Sequence, residues 1–166
     1  QEKKGGQSIQ LRLIGDGPLK PKLESLAKEL SLGNVRFEPS VPKAQIAQVA
    51  AEADAFVFNL IDAPVFRFGI SSNKLFDFMA ASRPVIFSCE SGNNPVKDAK
   101  AGITVTAGKP DELAQAILKI AEMPLEQRKL FGIAGRKYVE ENHDFRILSQ
   151  RLSEVLDVCI KPPVNV

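Results

Sequence analysis

Short β-rich runs alternate with helical ones along this chain, and that order constrains its fold more than any other feature. Ile9 to Ile14, "IQLRLI", alternates like a strand and ends at "GDGP". Leu19, Leu23, Leu26, Ala27 and Leu30 then recur at helical spacing between Pro18 and Leu32, and Gly33 closes the run. "VRF" reads as a short strand, Lys43 to Ala53 as an alanine-rich helix, and "DAFVFNL" as a strand buried on both faces. A loop from Asn59 to Ser72 leads into a helix, the strand "PVIFS", a glycine-bearing loop and a weaker strand, "GITVT". Pro110 to Ala121 is predicted helical, with proline in its first turn and Asp111 and Glu112 at its positive end. Helices over Leu125 to Glu141 and Phe145 to Ile160 follow, and 161–166, "KPPVNV", reads as a tail.

Strands alternating with helices of this length predict an α/β fold, a Rossmann-like doubly wound parallel sheet with helices on both faces. The 166 residues suit a single domain over 1–166. Such sheets bind ligands at the carboxyl ends of their strands, where loops enter the following helices. Four loops meet that condition: Gly15 to Pro18, Pro39 to Pro42, Asn59 to Asn73 and Ser88 to Pro95.

Composition removes several alternatives. Hydrophobic residues at 44% and charged residues at 25% describe a soluble globular protein, not a disordered one. A net charge of +2 is too small to argue for nucleic acid or an acidic membrane surface. No apolar run approaches the roughly 20 residues a spanning helix needs. Cys89 and Cys159 lack metal-ligand spacing, and no acidic cluster resembles a divalent-metal site, so no metal is expected.

The helix near Ser72 raises the functional question. Leu75, Phe78, Met79 and Ser82 follow i, i+3, i+4, i+7 and are predicted to face the sheet. Lys74, Asp77 and Ala81 lie on another edge. Gly69, Ser71 and Ser72 let the backbone approach an anion, which the free amides and the dipole of a helix start favour. A carboxylate one turn on, at Asp77, suits two neighbouring hydroxyls such as a ribose diol. Capping by serine and asparagine, with Lys74 and Asp77 as an exposed i, i+3 pair, explains the same residues more simply.

The stretch "G-I-S-S-N-K-L-F-D-F-M-A-A-S-R-P-V-I" resembles the signature helix of retaining GT-B glycosyltransferases of family 4, "E-G-F-G-x-P-x-x-E-x-M-A-x-G-x-P-V-I". It is more similar still to "G-I-S-P-N-K-L-F-D-Y-M-A-A-G-K-P-V-I" of a branch that includes fucosaminyltransferase-like enzymes of bacterial surface polysaccharides. Residues on both sides, from "LRLIGDGPLK" to "AGITVTAGKPDELAQAILKI", extend the resemblance across nearly the whole chain. It implies a donor-binding C-terminal half whose substrate is a nucleotide-diphospho-sugar.

The resemblance implies that Asp77 binds the ribose hydroxyls and that Ser71, Ser72 and Asn73 cradle the diphosphate through backbone amides. Lys74 adds positive charge or supports Asp77, and Arg67 is a diphosphate or sugar contact or a solvated loop residue. Gly69 stands where most members carry their first acidic residue, so its backbone is expected to serve instead, and no catalytic nucleophile is named. Gly15 and Gly17 shape the turn after the first strand or contact the nucleotide there, and Ser40 and Val41 stand where the family passes backbone along the base. Ser82 replaces a frequent glycine, a change expected to affect only packing. Cys89 is expected to be a small buried residue, and His143 a cap or surface histidine.

The family's domain normally opens with a strand and helix carrying an arginine and a lysine for the diphosphate, and nothing before Ile9 supplies them. The chain is therefore expected to be most of a donor-binding half, inert without an N-terminal acceptor domain. The resemblance implies cytoplasmic work on a saccharide acceptor and is compatible with peripheral membrane association. A nucleotide-sugar epimerase of the same architecture and a non-catalytic nucleotide- or partner-binding module remain as rivals.

Overall fold

The computed structural model describes residues 9–160, so the predicted tail at 161–166 lies outside the described residues. The chain gathers into two compact units, Gln1–Ala50 and Ala51–Val166.

In the first unit, β1 (Leu11–Ile14) pairs in parallel with β2 (Val35–Glu38) across the helix α1 (Lys20–Glu29). The register sets Leu11 opposite Val35 and Ile14 opposite Glu38. Arg12 grips Glu38 through Nε and Nη2, at 2.7 and 2.8 Å, tying the two strands by their side chains. Both helices of this unit are shorter than predicted. The alanine-rich run begins as a 3-10 turn, Lys43–Gln45, before α2 (Ile46–Ala51).

The second unit holds a three-stranded parallel sheet in the order β3 (Phe56–Asn59), β4 (Val85–Ser88), β5 (Gly102–Val105). Every residue of β4 is buried, as a central strand covered on both faces demands. Its alternation divides the core. Val85 and Phe87 pack with Leu75 and Met79 of α3 (Asn73–Ala80) on one face. Ile86 packs with Ala116 and Ile120 of the helix at Pro110–Glu122 on the other. Leu75 and Met79 have no accessible surface, and burying each contributes about 1.5–3 kcal/mol. Parallel strands with helices on both sides are the α/β architecture expected.

A short helix missed by sequence, α4 (Pro95–Asp98), interrupts the glycine-bearing loop after β4. Asn94 caps it, its Oδ1 accepting from the Lys97 amide at 2.9 Å. The helix at Pro110–Glu122 is α5, and α6 (Leu125–Asn142) and α7 (Phe145–Ile160) complete the chain. The expected acidic start of α5 holds, and Glu112 also accepts the Thr106 amide at 3.0 Å, which holds its carboxyl below the usual range.

Candidate functional site

The loops that follow β3 and β4 meet in front of α3. Chain leaving β3 forms a 3-10 turn over Pro64–Phe68 and then passes through Gly69 at φ 108°, a conformation that favours glycine. An extended Ser72 (φ −119°) turns directly into α3. Ser72 contributes no side-chain cap, so the simple capping explanation of this serine does not hold. The Leu75 and Phe76 amides bond the Ser72 carbonyl, at 3.0 and 3.4 Å, while the Asn73 and Lys74 amides before them have no side-chain cap from Ser72. A helix start of this kind attracts an anion.

Asp77 lies one turn further on and is exposed, as are Ser71, Asn73 and Lys74. No ion pair joins Lys74 to Asp77 among the described residues, so the exposed-pair reading fails as well. The opposite side of α3 carries Leu75 and Met79 into the core, while Phe78 stacks on Phe56 with ring centroids 4.3 Å apart. Ser82, expected on that same face, lies beyond the helix end with φ 57°.

The remaining expected residues fall in several places. Arg67 is exposed, and its guanidinium sits 4.8 Å from the centroid of the Phe68 ring. Gly15 has φ 146° and Gly17 is exposed, both in the turn between β1 and α1. Between them Asp16 binds the Ser40 amide at 3.0 Å and the Lys20 ammonium at 3.1 Å. Ser40, and next to it Lys20, hold the Asp16 carboxyl down to about 2. Lys20 also donates to the carbonyls of Gly15 and Glu38, at 2.9 and 2.8 Å. That network draws together the carboxyl ends of β1 and β2, and half-buried Val41 follows Ser40. Gly15, Gly17 and Val41 belong to the first unit, whereas Arg67, Gly69, Ser71, Ser72, Asn73, Lys74 and Asp77 belong to the second.

Cys89 is buried at the end of β4, and burial pushes its thiol up. His143 is the C-cap residue of α6, as one of the two expectations had it, but it is half-buried and not a surface residue. Sequence reading missed Gly92 and Asn93, which hold the loop before α3. Asn93 Oδ1 accepts the Ile70 amide at 2.7 Å, and Asn93 Nδ2 donates to the Ile70 carbonyl at 3.0 Å. "SGNN" in a loop after a strand was the available signal. Among the described residues no three His, Cys, Asp or Glu side chains gather as a metal site requires, and no helix is long and apolar enough to cross a membrane.

With this geometry in view, the sequence profile of the family described as glycosyl transferases, group 1, matches residues 1–123, a span that includes both loops and all of α3. The chain belongs to the group 1 glycosyl transferases. A GDP-mannose-dependent monoacylated alpha-(1-6)-phosphatidylinositol monomannoside mannosyltransferase of Corynebacterium glutamicum is 26% identical over 151 residues, 89% of this chain. The chain spans 38% of that relative's length.

Among solved structures, sucrose-phosphate synthase from Thermosynechococcus elongatus superposes with a TM-score of 0.76 at 22% identity, covering 90% of this chain and 38% of its own. Anabaena HepE in complex with UDP-glucose gives a TM-score of 0.72 at 21% identity, covering 90% and 41%. These likenesses carry the fold. The GT-B, Rossmann-like architecture of a group 1 C-terminal domain is thereby the architecture of this family member.

Proposed function

We propose that this chain is the donor-binding part of a glycosyltransferase of the fucosaminyltransferase-like branch. In this reading it takes a nucleotide-diphospho-sugar and passes the sugar, with retained anomeric configuration, to a lipid-linked saccharide at the cytoplasmic side of a membrane. The N-terminal acceptor domain of a longer chain supplies the other substrate. The observation that carries this reading is the start of α3, where Ser72 gives no side-chain cap, with an exposed carboxylate at Asp77 one turn along that has no partner among the described residues.

The chemistry follows from the leaving group. Charge develops on the nucleoside diphosphate as the glycosidic bond breaks, so fixed dipoles aimed at phosphate lower the barrier. Amides of Ser71, Ser72 and Asn73 supply those dipoles, and the Lys74 ammonium adds a full charge beside them. Gly69 lets the backbone approach without a side chain in the way. Asp77 accepts the two ribose hydroxyls and fixes the nucleoside relative to the phosphates. The GDP-mannose dependence of the Corynebacterium relative and the UDP-glucose bound to HepE support a nucleotide-sugar as ligand.

The test is turnover by the longer protein that contains this chain, offered a panel of UDP- and GDP-sugars with a lipid-linked saccharide. Acceptor-dependent product with retained configuration by NMR is the expected result. Release of an isomerised nucleotide-sugar without acceptor would replace this reading by an epimerase, and binding without turnover would replace it by a module.

A further inference from the structure

The loop after β4 carries no residue of the proposed donor site, and one of its side chains joins it to the loop that does. Asn93, from the loop after β4, clasps the Ile70 peptide on both sides, taking its amide hydrogen at 2.7 Å and donating to its carbonyl at 3.0 Å. Ile70 lies between Gly69 and Ser71, so this clasp acts on the first peptide of the proposed diphosphate cradle. The adjoining Gly92 amide donates to the Phe66 carbonyl at 3.1 Å, and that carbonyl also receives the Gly69 amide at 2.8 Å. A Cβ on Gly92 would stand 2.3 Å from the Arg67 carbonyl oxygen, so glycine alone admits this approach.

Asn93 is itself fixed from below. The Ser91 hydroxyl donates to the Asn93 carbonyl, and Asn94 bonds Thr104 Oγ1 at 3.1 Å as well as capping α4. Pro95 and Val96 of α4 are buried. The clasp thus runs from a packed anchor to an exposed loop. Gly69 at φ 108° is an uncommon conformation that the free loop would leave for others, and a bound Ile70 peptide restricts that freedom.

We propose that Asn93 and Gly92 are positioning residues that hold the Gly69–Ser72 backbone in its diphosphate-binding conformation. This rests on the donor-site reading above. Neither residue touches the reacting atoms in this account. Each acts through the amides of residues 70–72, by raising the fraction of molecules whose loop is already shaped for phosphate. Where that fraction falls tenfold, apparent affinity falls about tenfold.

The test uses Asn93→Ala, Asn93→Asp and Gly92→Ala in the longer protein that contains this chain, with UDP and GDP as the probes. Calorimetry reads nucleotide affinity, amide hydrogen exchange reads Ile70, and a thermal melt reads the fold. Asn93→Ala is expected to speed exchange at Ile70 at least tenfold and to weaken nucleotide binding about tenfold, with the melt little changed. Asn93→Asp keeps an acceptor for the Ile70 amide and is expected to retain its protection. Gly92→Ala is expected to weaken binding without removing any hydrogen-bonding side chain. Wild-type affinity in Asn93→Ala would overturn the positioning role and leave the donor site standing. No binding of either nucleotide by the unaltered longer protein would overturn the donor site and this role with it.

Discussion

The imidazole of His143 lies against the ring of Phe76, with centroids 3.7 Å apart and planes inclined by 25°. Phe76 precedes Asp77 in α3, and His143 caps the C-terminus of α6, so the histidine braces the helix that carries the proposed ribose-binding carboxylate. Its second aromatic neighbour is Tyr138, at 5.8 Å.

This contact makes stability depend on pH. Burial, and after it the charge of Arg151, lowers the His143 pKa below its ordinary 6.5, so folding disfavours the imidazolium. Between the folded and unfolded pKa values the unfolded chain binds more protons, and stability rises with pH there. The stabilisation is complete above about pH 6.5 and falls as the pH drops through that value. Denaturant titrations from pH 8 to pH 5 should show this fall in the wild type, and His143→Phe should lose it. Identical profiles would remove His143 as the responsible group.

Ser82 and Gly132 make a second pair of predictions. Ser82 follows α3 at φ 57°, a left-handed conformation that costs a non-glycine residue roughly 1–2 kcal/mol. The serine that replaces a frequent family glycine therefore strains the backbone and does more than alter packing. Ser82→Gly should raise stability by up to about 1 kcal/mol, since a freer unfolded chain offsets part of the relief. Gly132 of α6 meets the same turn, and a Cβ there would stand 2.1 Å from the Ser82 carbonyl oxygen. Gly132→Ala should cost about 1–3 kcal/mol, the usual penalty of overpacking. Chemical denaturation measures both, and a loss on Ser82→Gly or a gain on Gly132→Ala would refute the respective claim.

For the proposed donor site, Asp77→Ala should weaken nucleotide-sugar binding by roughly 1–3 kcal/mol, the range for losing a hydrogen-bonded charged contact. Because Asp77 is exposed and bonds no neighbour among the described residues, the melt should barely move. Calorimetry on the longer protein decides the matter. An unchanged affinity would take Asp77 out of the site.

Asp16 gives an acid limb confined to the first unit. Its carboxyl, held at about 2 by Ser40 and then Lys20, stays ionised in the fold at a pH where the unfolded group, near 3.8, takes up a proton. The stabilisation is present above pH 3.8 and is lost as the pH falls toward 2. Asp16→Asn should flatten this part of the acid unfolding curve, followed by far-UV circular dichroism. A curve of wild-type steepness over that range would show that another carboxylate is responsible.

Local patterns reach a good part of this structure. Phe145–Ile160 has the bounds that helical spacing predicts, and "PVIFS" yields the fully buried β4, because period and apolar content are properties of neighbouring residues. The start of α3 is legible for the same reason: its glycine, its serines and the carboxylate at Asp77 all lie within one short stretch. By contrast α4 is only four residues long, too short to show a period, and it passed as loop.

What sequence alone determined here is the kind of each strand and longer helix and the edge of α3 on which Asp77 stands, since backbone geometry converts residue spacing directly into facing. Tertiary structure alone decided that Ser72 leaves the helix uncapped, that Asn93 clasps Ile70 across 23 positions, and that His143 stacks on Phe76. Those outcomes depend on which chain segments the core brings side by side, and a hydrogen bond or ring contact between distant residues leaves no periodic trace in either of them.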